Sequence, residues 1–557
     1  MITDRPIIPT RRLRTIDTYR RSPTLMLVIL LAAIGALIYS SFIWSPGNRG
    51  DWLPYAMVLF AEGFIIFQAI LALWTILAGS SDPRNFEFHN AQEHLYSKNH
   101  NSLHYEAAMA NKTIDMSKLQ MFMHRKPISV DIFITTFGEP IDVIQRTAIA
   151  CRDLSGFHAT YLLDDGKSDE VKQLAETLGI GYIRRPTNEG AKAGNINYAL
   201  SQTHGEYFAI FDADFVPAHN FLYETLPFFE DRNTAFVQTP QYYRNSINVI
   251  SKGAAFMQLM FYKLIMAGKN NFNAAFCVGT NVVFRRTAIE AIGGIYDKSK
   301  SEDIWTALLL HEKKFRSVYI SDVLAIGDTP DTIKAFSKQQ LRWATGGFEI
   351  FFWHNPLFRP LSIDQKVQYF GTVTYYFHGL AAMLLFLLPP LHIFFNLSPV
   401  DTTTGFMAWA LAYFAFYGLQ IVVAFYTMGG FKIQVLLLAM VSFPIYVRAM
   451  LNGLLRRDVG WQATGNKSAI DSPYNYIVPQ ILIFLFLIFT SAVGIWKAYY
   501  TGTVAISLWW CLLNTFVFAG FIFTAMHEHR QLKRAAKHET KQRQFTNSTP
   551  RRRQYEW

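Results

Sequence analysis

Apolar and polar positions divide this chain into three stretches of different character. Residues 25–44 and 53–78 are almost unbroken apolar runs, each at or beyond the roughly 20 residues a helix needs to cross a bilayer, with a short polar turn at 45–51. From about residue 126 to 331 the pattern changes to short apolar runs alternating with amphipathic segments. Long apolar runs return near 369–395, 406–428, 477–496 and 504–525. The run 431–451 is also apolar but carries Lys432 and Arg448 and is broken by Pro444, which predicts an interfacial or re-entrant helix. Six crossings are therefore expected.

The middle stretch repeats one design. Strand-like runs at 130–137, 159–163, 180–183 and 207–211 alternate with helical segments, which predicts a largely parallel sheet in an α/β domain. Ligands of such sheets bind outside the carboxyl ends of the strands. Three of the runs deliver acids there: Glu139 in Gly138-Glu139-Pro140, Asp164 and Asp165 before Gly166, and Asp212 and Asp214 around Ala213. Two acids one residue apart can share a hard divalent cation whose shell substrate phosphates complete. Taken singly, Asp-x-Asp is equally a polar loop start. Further on, Ser301-Glu302-Asp303 opens a helix, where acids are favoured by the dipole alone. Residues 334–352 are amphipathic, with Gln339, Arg342 and Trp343 on one face. An interfacial helix anchored by Trp343 accounts for that tryptophan without any substrate.

Charge then orients the chain. The net charge is +11, but the basic residues gather near the ends of the apolar runs: residues 1–22 hold six arginines against two acids. With six crossings the loops at 46–51, 398–404 and 498–503 fall on one side and hold one Lys or Arg between them. The positive-inside rule then places both termini, the α/β domain and a basic loop at 456–470 in the cytoplasm. Positive-inside topology and attraction to anionic lipid account for the charge, so nucleic acid is not an expected partner. Residues 1–22 resemble a signal peptide's leader, but no small-residue cleavage site follows, and an uncleaved first helix is expected. Glu62 lies within the second run; it is expected to face protein or a polar channel, or to snorkel near the outer interface. Cys151, Cys277 and Cys511 have neither metal nor redox spacing. The histidines at 89, 94, 100 and 104 are spaced too irregularly for a ligand set on one helix face. Residues 527–557 are basic and polar and are expected to be a disordered tail.

Five motifs in order carry a resemblance: Asp-Asp-Gly at 164–166, Ala-Lys-Ala-Gly-Asn at 191–195, Asp-Ala-Asp at 212–214, Ser-Glu-Asp at 301–303 and Gln-Gln-Leu-Arg-Trp at 339–343. Together they make the chain similar to the processive, membrane-embedded family 2 glycosyltransferases, and most of all to the bacterial cellulose synthase catalytic subunits. The resemblance runs from about residue 25 to 525. It implies a GT-A-type, Rossmann-like domain at 126–331, inserted in an α-helical multi-span membrane domain. Flanking it would be a leader and two helices at 1–79, a linker at 80–125, interfacial helices at 332–365, a channel region at 366–526 and the tail. It further implies inverting transfer from a UDP-sugar, UDP-glucose into β-1,4-glucan in the first instance, with the polymer threaded out through the chain's own helices. Asp212 and Asp214 would hold Mg²⁺ or Mn²⁺. Asp164 would contact the nucleotide, with Thr135 and Glu139 near the uridine. Lys192, Gln339 and Arg342 would meet the pyrophosphate. Trp343 would stack on the acceptor sugar and Asp303 would be the general base. Residues 461–467, with Trp461, Thr464 and Lys467, resemble a gating loop, and Tyr375, Tyr376, Trp409 and Tyr413 are candidate channel linings. The implied partners are the UDP-sugar, the growing polysaccharide and the lipid bilayer, with accessory export subunits or a second copy of the chain left open.

The chain departs from the family pattern in four places. Ser301 stands for the usual Thr, and Cys277 comes one place early in Phe276-Cys277-Val278-Gly279, which puts its acceptor-site role in doubt. The gating loop has one extra residue before Lys467, and the basic tail has no room for a PilZ-like cyclic di-GMP domain. A synthase of another β-glycan (curdlan, mannan, hyaluronan or chitin) is the second reading. A lipid-carrier transferase would share the fold but is not expected to keep Gln-Gln-Leu-Arg-Trp. An inactive scaffold or a simple transporter is the alternative from another class, against which the intact carboxylates at 164, 212, 214 and 303 stand. Asp303 is preferred to Glu302 as base because adjacent helical positions diverge by about 100°.

Overall fold

The structure is a computed structural model that describes residues 22–79, 82–96, 115–299, 301–401, 405–430, 432–457 and 472–548. The helices used below are α1 (Pro23–Ile43), α2 (Trp52–Ala78), α3 (Ala191–Gln202), α4 (Val249–Asn271), α5 (Glu302–Glu312), α6 (Ile333–Trp353), α7 (Ile363–Phe395), α8 (Met407–Met428), α9 (Ile433–Val441), α10 (Phe443–Leu454), α11 (Val478–Thr501) and α12 (Ile506–Ser548).

Between α2 and α6 lies a seven-stranded sheet built from β1 (Val130–Thr136), β2 (Ala159–Asp164), β3 (Gly181–Ile183), β4 (Tyr207–Asp212), β5 (Thr234–Gln238), β6 (Val282–Arg285) and β7 (Arg316–Tyr319). Its order is β7-β5-β6-β4-β1-β2-β3. The β1–β4 strands are mutually parallel, while β6 runs antiparallel to both β4 and β5. Both faces are covered. In β4, Phe208 and Ile210 enter one core cluster while Tyr207, Ala209 and Phe211 enter the other, which is why this strand reads as a continuous apolar run. Each such side chain taken out of water contributes about 1.5–3 kcal/mol. Of the stretch expected to be a linker, Phe88, Leu95 and Tyr96 are buried in the same core as β1 and β4.

Among the described residues, seven helices are long and apolar enough to cross a membrane: α1, α2, α4, α7, α8, α11 and the part of α12 to Arg534. Six correspond to the apolar runs of the sequence. The seventh, α4, was not among them. Its N-terminal side follows residues Tyr242–Tyr243, which pair with Ala325–Gly327, and its C-terminal side leads within a few residues into β6. Both ends thus return to the same α/β domain, which a single crossing would forbid. Helix α4 instead lies along the domain–membrane boundary, its Gly268 against the Thr75 backbone of α2 and its Gly253 against Leu438 of α9. The 431–451 run is two helices, α9 and α10, bent by 44° at Ser442 beside Pro444. Glu62 faces protein: it is 1% exposed and accepts a 2.6 Å hydrogen bond from the Tyr417 hydroxyl. The tail expectation is corrected in part, since α12 continues without a break to Ser548. Good helix formers such as Gln, Lys, Arg, Ala and Glu fill that segment, and a helix already nucleated in its apolar half extends through them.

This placement of α4 has a direct test. Single cysteines at Ile247 and Asn271, both exposed and flanking or ending α4, are expected to label from one side of the membrane, and one at Thr503 from the other. Labelling of Ile247→Cys and Asn271→Cys from opposite sides would make α4 a crossing.

Candidate active site

Strand register assembles the site. In β1 and β4 Thr135 stands opposite Asp212, and in β1 and β2 Thr136 stands opposite Asp164. Three neighbouring parallel strands thus end at one edge with Thr135, Asp164 and Asp212. Asp164 is 1% exposed and accepts from the Ser168 amide and the Tyr182 hydroxyl, each at 2.8 Å. The next residue, Asp165, forms a buried two-pronged ion pair with Arg185, both bonds 2.7 Å. Arg185 also donates to the carbonyls of Glu189 and Ala191, and Asn188 donates to the Asp165 carbonyl. This strut fixes the loop that leads into α3 and so places Lys192. Sequence reasoning missed Arg185. The available signal was a second acid in Asp-Asp-Gly with an Arg pair after the following strand.

Lys192 donates to Asp212 and, at 2.8 Å, to the Gly279 carbonyl. The Thr135 hydroxyl donates to Asp212 at 3.1 Å. Glu139 accepts from the Phe137 amide at 2.6 Å, and burial raises its pKa against that bond. Asp214 is pushed up to about 8, first by burial and then by the charges of Asp212, Glu139 and Asp328. Carboxylates that raise one another's pKa are relieved by a cation between them. Among the described residues no three His, Cys, Asp or Glu side chains gather as a metal-holding group. Asp212 and Asp214 are residues that could hold a hard divalent ion whose remaining oxygens come from elsewhere, as Mg²⁺ takes them beside phosphates.

Residues 274–281 cross this edge as a strip. Gln238 holds it, accepting from the Val278 amide at 2.9 Å and donating to the Thr280 carbonyl at 2.9 Å. Gly279 has φ +82, which favours glycine, and a Cβ there would stand 3.6 Å from Lys192 Nζ and 3.8 Å from both Asp303 Oδ2 and Glu302 Oε1. Lys192 and the two acids of α5 thus converge on one backbone position. Asp303 is pushed up to about 7, mainly by burial and then by Glu302, while Arg342 and Lys192 pull it down. The helical angle does not carry Glu302 away, contrary to the sequence argument; at the first turn both side chains reach the same strip. Cys277 is 1% exposed and its thiol donates to the Asp303 carbonyl at 3.0 Å, so it braces α5 from beneath and does not open onto a ligand.

Helix α6 closes the other side. A Cβ on Gly346 would come 1.9 Å from Ser301 Oγ, so α5 and α6 meet in this way only because residue 346 is glycine. Gln339, Arg342 and Trp343 are half-buried, and Arg342 lies near enough to Asp303 to lower its pKa. Gln340 turns to the membrane part and accepts from Tyr446 of α10 at 2.9 Å. Tyr376 packs beside Gly347 of α6 and Tyr446, whereas Trp409 packs on Phe42, and Tyr413 on Tyr39 and Tyr417, in the α1–α8 contact. A cleft of about 810 Å³ opens beside the site, lined among others by Asn188, Lys192, Tyr296, Glu302, Trp353 and Arg456. Trp461, Thr464 and Lys467 lie outside the described residues.

Residues 207–427 match the family described as Glycosyl transferase family group 2. The chain is 34% identical over 282 residues to the cellulose synthase catalytic subunit [UDP-forming] of Xanthomonas axonopodis pv. citri (strain 306), covering 47% of this chain and 39% of that one. It is 32% identical over 278 residues to the protein of the same name from Pseudomonas fluorescens (strain SBW25), covering 48% and 38%. The match thus spans less than half the length of either relative. Among solved structures, a mannosyltransferase from Pyrobaculum calidifontis in complex with GDP-Man and Mn²⁺ is similar at a TM-score of 0.44 and 15% identity, over 70% of this chain and all of that one.

The Asp165–Arg185 strut gives a stability prediction. Arg185→Leu leaves a buried carboxylate without its partner and is expected to cost about 3–5 kcal/mol. Thermal unfolding in detergent reads this as a lowered Tm. Asp165→Asn combined with Arg185→Leu recovers part of the loss if the unpaired charge is its cause.

Proposed function

We propose that the chain is a membrane-embedded inverting glycosyltransferase that polymerises hexose from a UDP-sugar, UDP-glucose into β-1,4-glucan, and passes the polymer outward through its own helices. The observation that carries this reading is the convergence at Gly279 of Asp303 and of Lys192, which is itself paired with Asp212. Inverting transfer is one displacement and needs charge stabilisation on the leaving side and a base on the attacking side. The strip holds those two functions a few ångströms apart. The names of the cellulose synthase relatives support the substrate class.

In this reading Asp212 and Asp214 would hold a divalent cation, Mg²⁺ or Mn²⁺, which when bound offsets charge on the departing diphosphate. Lys192 and Arg342 meet the same oxygens, the guanidinium with a planar fork suited to them, and Gln339 adds a hydrogen bond. Asp164, Thr135 and Glu139 line the nucleotide end. Trp343 carries the acceptor sugar. Asp303 takes the proton of the acceptor hydroxyl as the new C–O bond forms at the anomeric carbon and the bond to UDP breaks with inversion. In this reading the α/β domain faces the cytoplasm from a cell membrane, which the Lys/Arg asymmetry of the loops supports.

Inverted membrane vesicles supplied with UDP-glucose and Mg²⁺ are expected to form a polymer that a β-1,4-specific endoglucanase digests. Polymer resistant to it but cleaved by a β-1,3-glucanase, or formed only from another UDP-sugar, would assign a different β-glycan. No glycosyl transfer from any UDP-sugar would remove the reading.

Asp303→Asn is expected to lower the rate about a hundredfold or more, since it loses basicity and keeps size. Glu302→Gln is the control for its neighbour at the same strip. UDP affinity should stay within a few-fold in Asp303→Asn, whereas Asp212→Asn should weaken metal-dependent UDP binding. A near wild-type rate in Asp303→Asn would put the base elsewhere.

The pKa of Asp303 gives a pH profile with a definite sign. The base is the carboxylate, so kcat should rise with pH through about 7, and Asp303→Asn should lose that limb. Stability responds in the opposite sense. The folded pKa lies above the unfolded value near 4, so the contribution is complete below about 4 and is lost as pH rises through about 7. Asp303→Asn should therefore flatten the dependence of Tm on pH in that window.

A further inference from the structure

Asp303 occupies the first turn of α5, and the last turn of the same helix holds a buried side chain that the chemistry does not use. His311 is 1% exposed. Its Nδ1 lies 2.7 Å from the Tyr369 hydroxyl of α7, and its Nε2 lies 3.0 Å from the Ser317 hydroxyl of β7. Ser317 in turn donates its proton to the Ala275 carbonyl at 2.8 Å. A hydroxyl has one proton, so Ser317 Oγ must accept from His311, which puts the imidazole proton on Nε2. Nδ1 is then an acceptor and Tyr369 is its donor. Every bond in the series has one direction: Tyr369 to His311, His311 to Ser317, Ser317 to Ala275. Burial holds the imidazole neutral, with its pKa lowered to about 3, which this series requires.

The relay joins three parts of the molecule that must agree for the site to exist. Tyr369 belongs to the helix that enters the membrane, His311 to the helix that carries Asp303, and Ala275 to the strip that carries Gly279. We propose that Tyr369, His311 and Ser317 are positioning residues that fix α5 against the 274–281 strip, and so set Asp303 relative to Lys192 and Asp212. The relay pins α5 eight residues from the base, about 12 Å along the helix. Cys277, whose thiol reaches the Asp303 carbonyl, is the nearer contact of the same two segments. Gln365 of α7 adds a further hold on this region, donating to the Asn273 carbonyl at 2.7 Å.

The inference about rate rests on the glycosyltransferase reading, so the test has an arm that does not. In a Cys151→Ser, Cys511→Ser background, Cys277 is the remaining thiol, and its modification by N-ethylmaleimide reports the α5–strip contact without any turnover. Tyr369→Phe and Ser317→Ala each remove a single hydroxyl. Each is expected to speed Cys277 modification and to lower kcat with UDP-glucose about tenfold while KM stays within twofold, as for a slightly misplaced catalytic group. The double variant should lose little beyond the worse single variant, because both act through His311. His311→Gln can still donate to Ser317 and accept from Tyr369, and should keep more of the rate than His311→Phe. Unchanged Cys277 protection in both hydroxyl variants would overturn the proposal, as would a loss in kcat matched by a rise in KM. If the parent protein transfers no glucose, the functional reading fails, and the thiol arm still decides this one.

Discussion

The geometry of the site depends on one backbone position held in a conformation that only glycine adopts without strain. Gly279 lies where Lys192, Glu302 and Asp303 converge, at a φ that suits glycine. A methyl group there would meet the cation and both carboxylates at ordinary contact distance, so it is the backbone angle and not the space that calls for glycine. The strip is held in that place from several directions: Gln238 from β5, Thr280 against the Asp212 amide, Cys277 against α5 and Ser317 against Ala275. Each of these bonds is worth about 1 kcal/mol net, and their combined effect is placement more than stability.

A second constraint brings the membrane part to the site. Gly346 allows Ser301 to touch the backbone of α6, and Gln340 on the same helix is tied to Tyr446 of α10. Through these contacts α6 is shared by the α/β domain and the membrane helices. Electrostatics follows from this enclosure. Asp214, Glu139 and Asp303 all have raised pKa values with burial as the first cause, and the cationic groups Lys192 and Arg342 stand among them. Perturbed carboxylates in a cleft with cations close by mark a place where charge is to be handled.

Much of this was legible in the sequence, and the limits have physical reasons. The strands could be read because a sheet buried on both faces leaves unbroken apolar runs such as Tyr207 to Phe211, and their acids mark the carboxyl edge. Six of the apolar helices could be read from length and hydropathy. Helix α4 could not, because Lys252, Lys263 and Lys269 interrupt its apolar pattern, and only the fold shows that both ends return to one domain. Arg185, His311 and Tyr369 were silent for another reason. Each acts through a partner distant in sequence, and no local period announces a contact such as His311 with Tyr369, 58 residues apart. Glu302 shows the converse error, where an ideal helical angle was trusted at a first turn whose side chains reach the same neighbour.

Helix α4 gives the site an altitude. It lies along the boundary between the α/β domain and the membrane helices, and seven residues lie between its last residue, Asn271, and Gly279. Even fully extended, the eight Cα–Cα steps from Asn271 to Gly279 span no more than about 29 Å, so the acid-lined edge lies within that reach of the end of α4. Whatever chemistry that edge performs is therefore held close to the membrane helices that α4 touches.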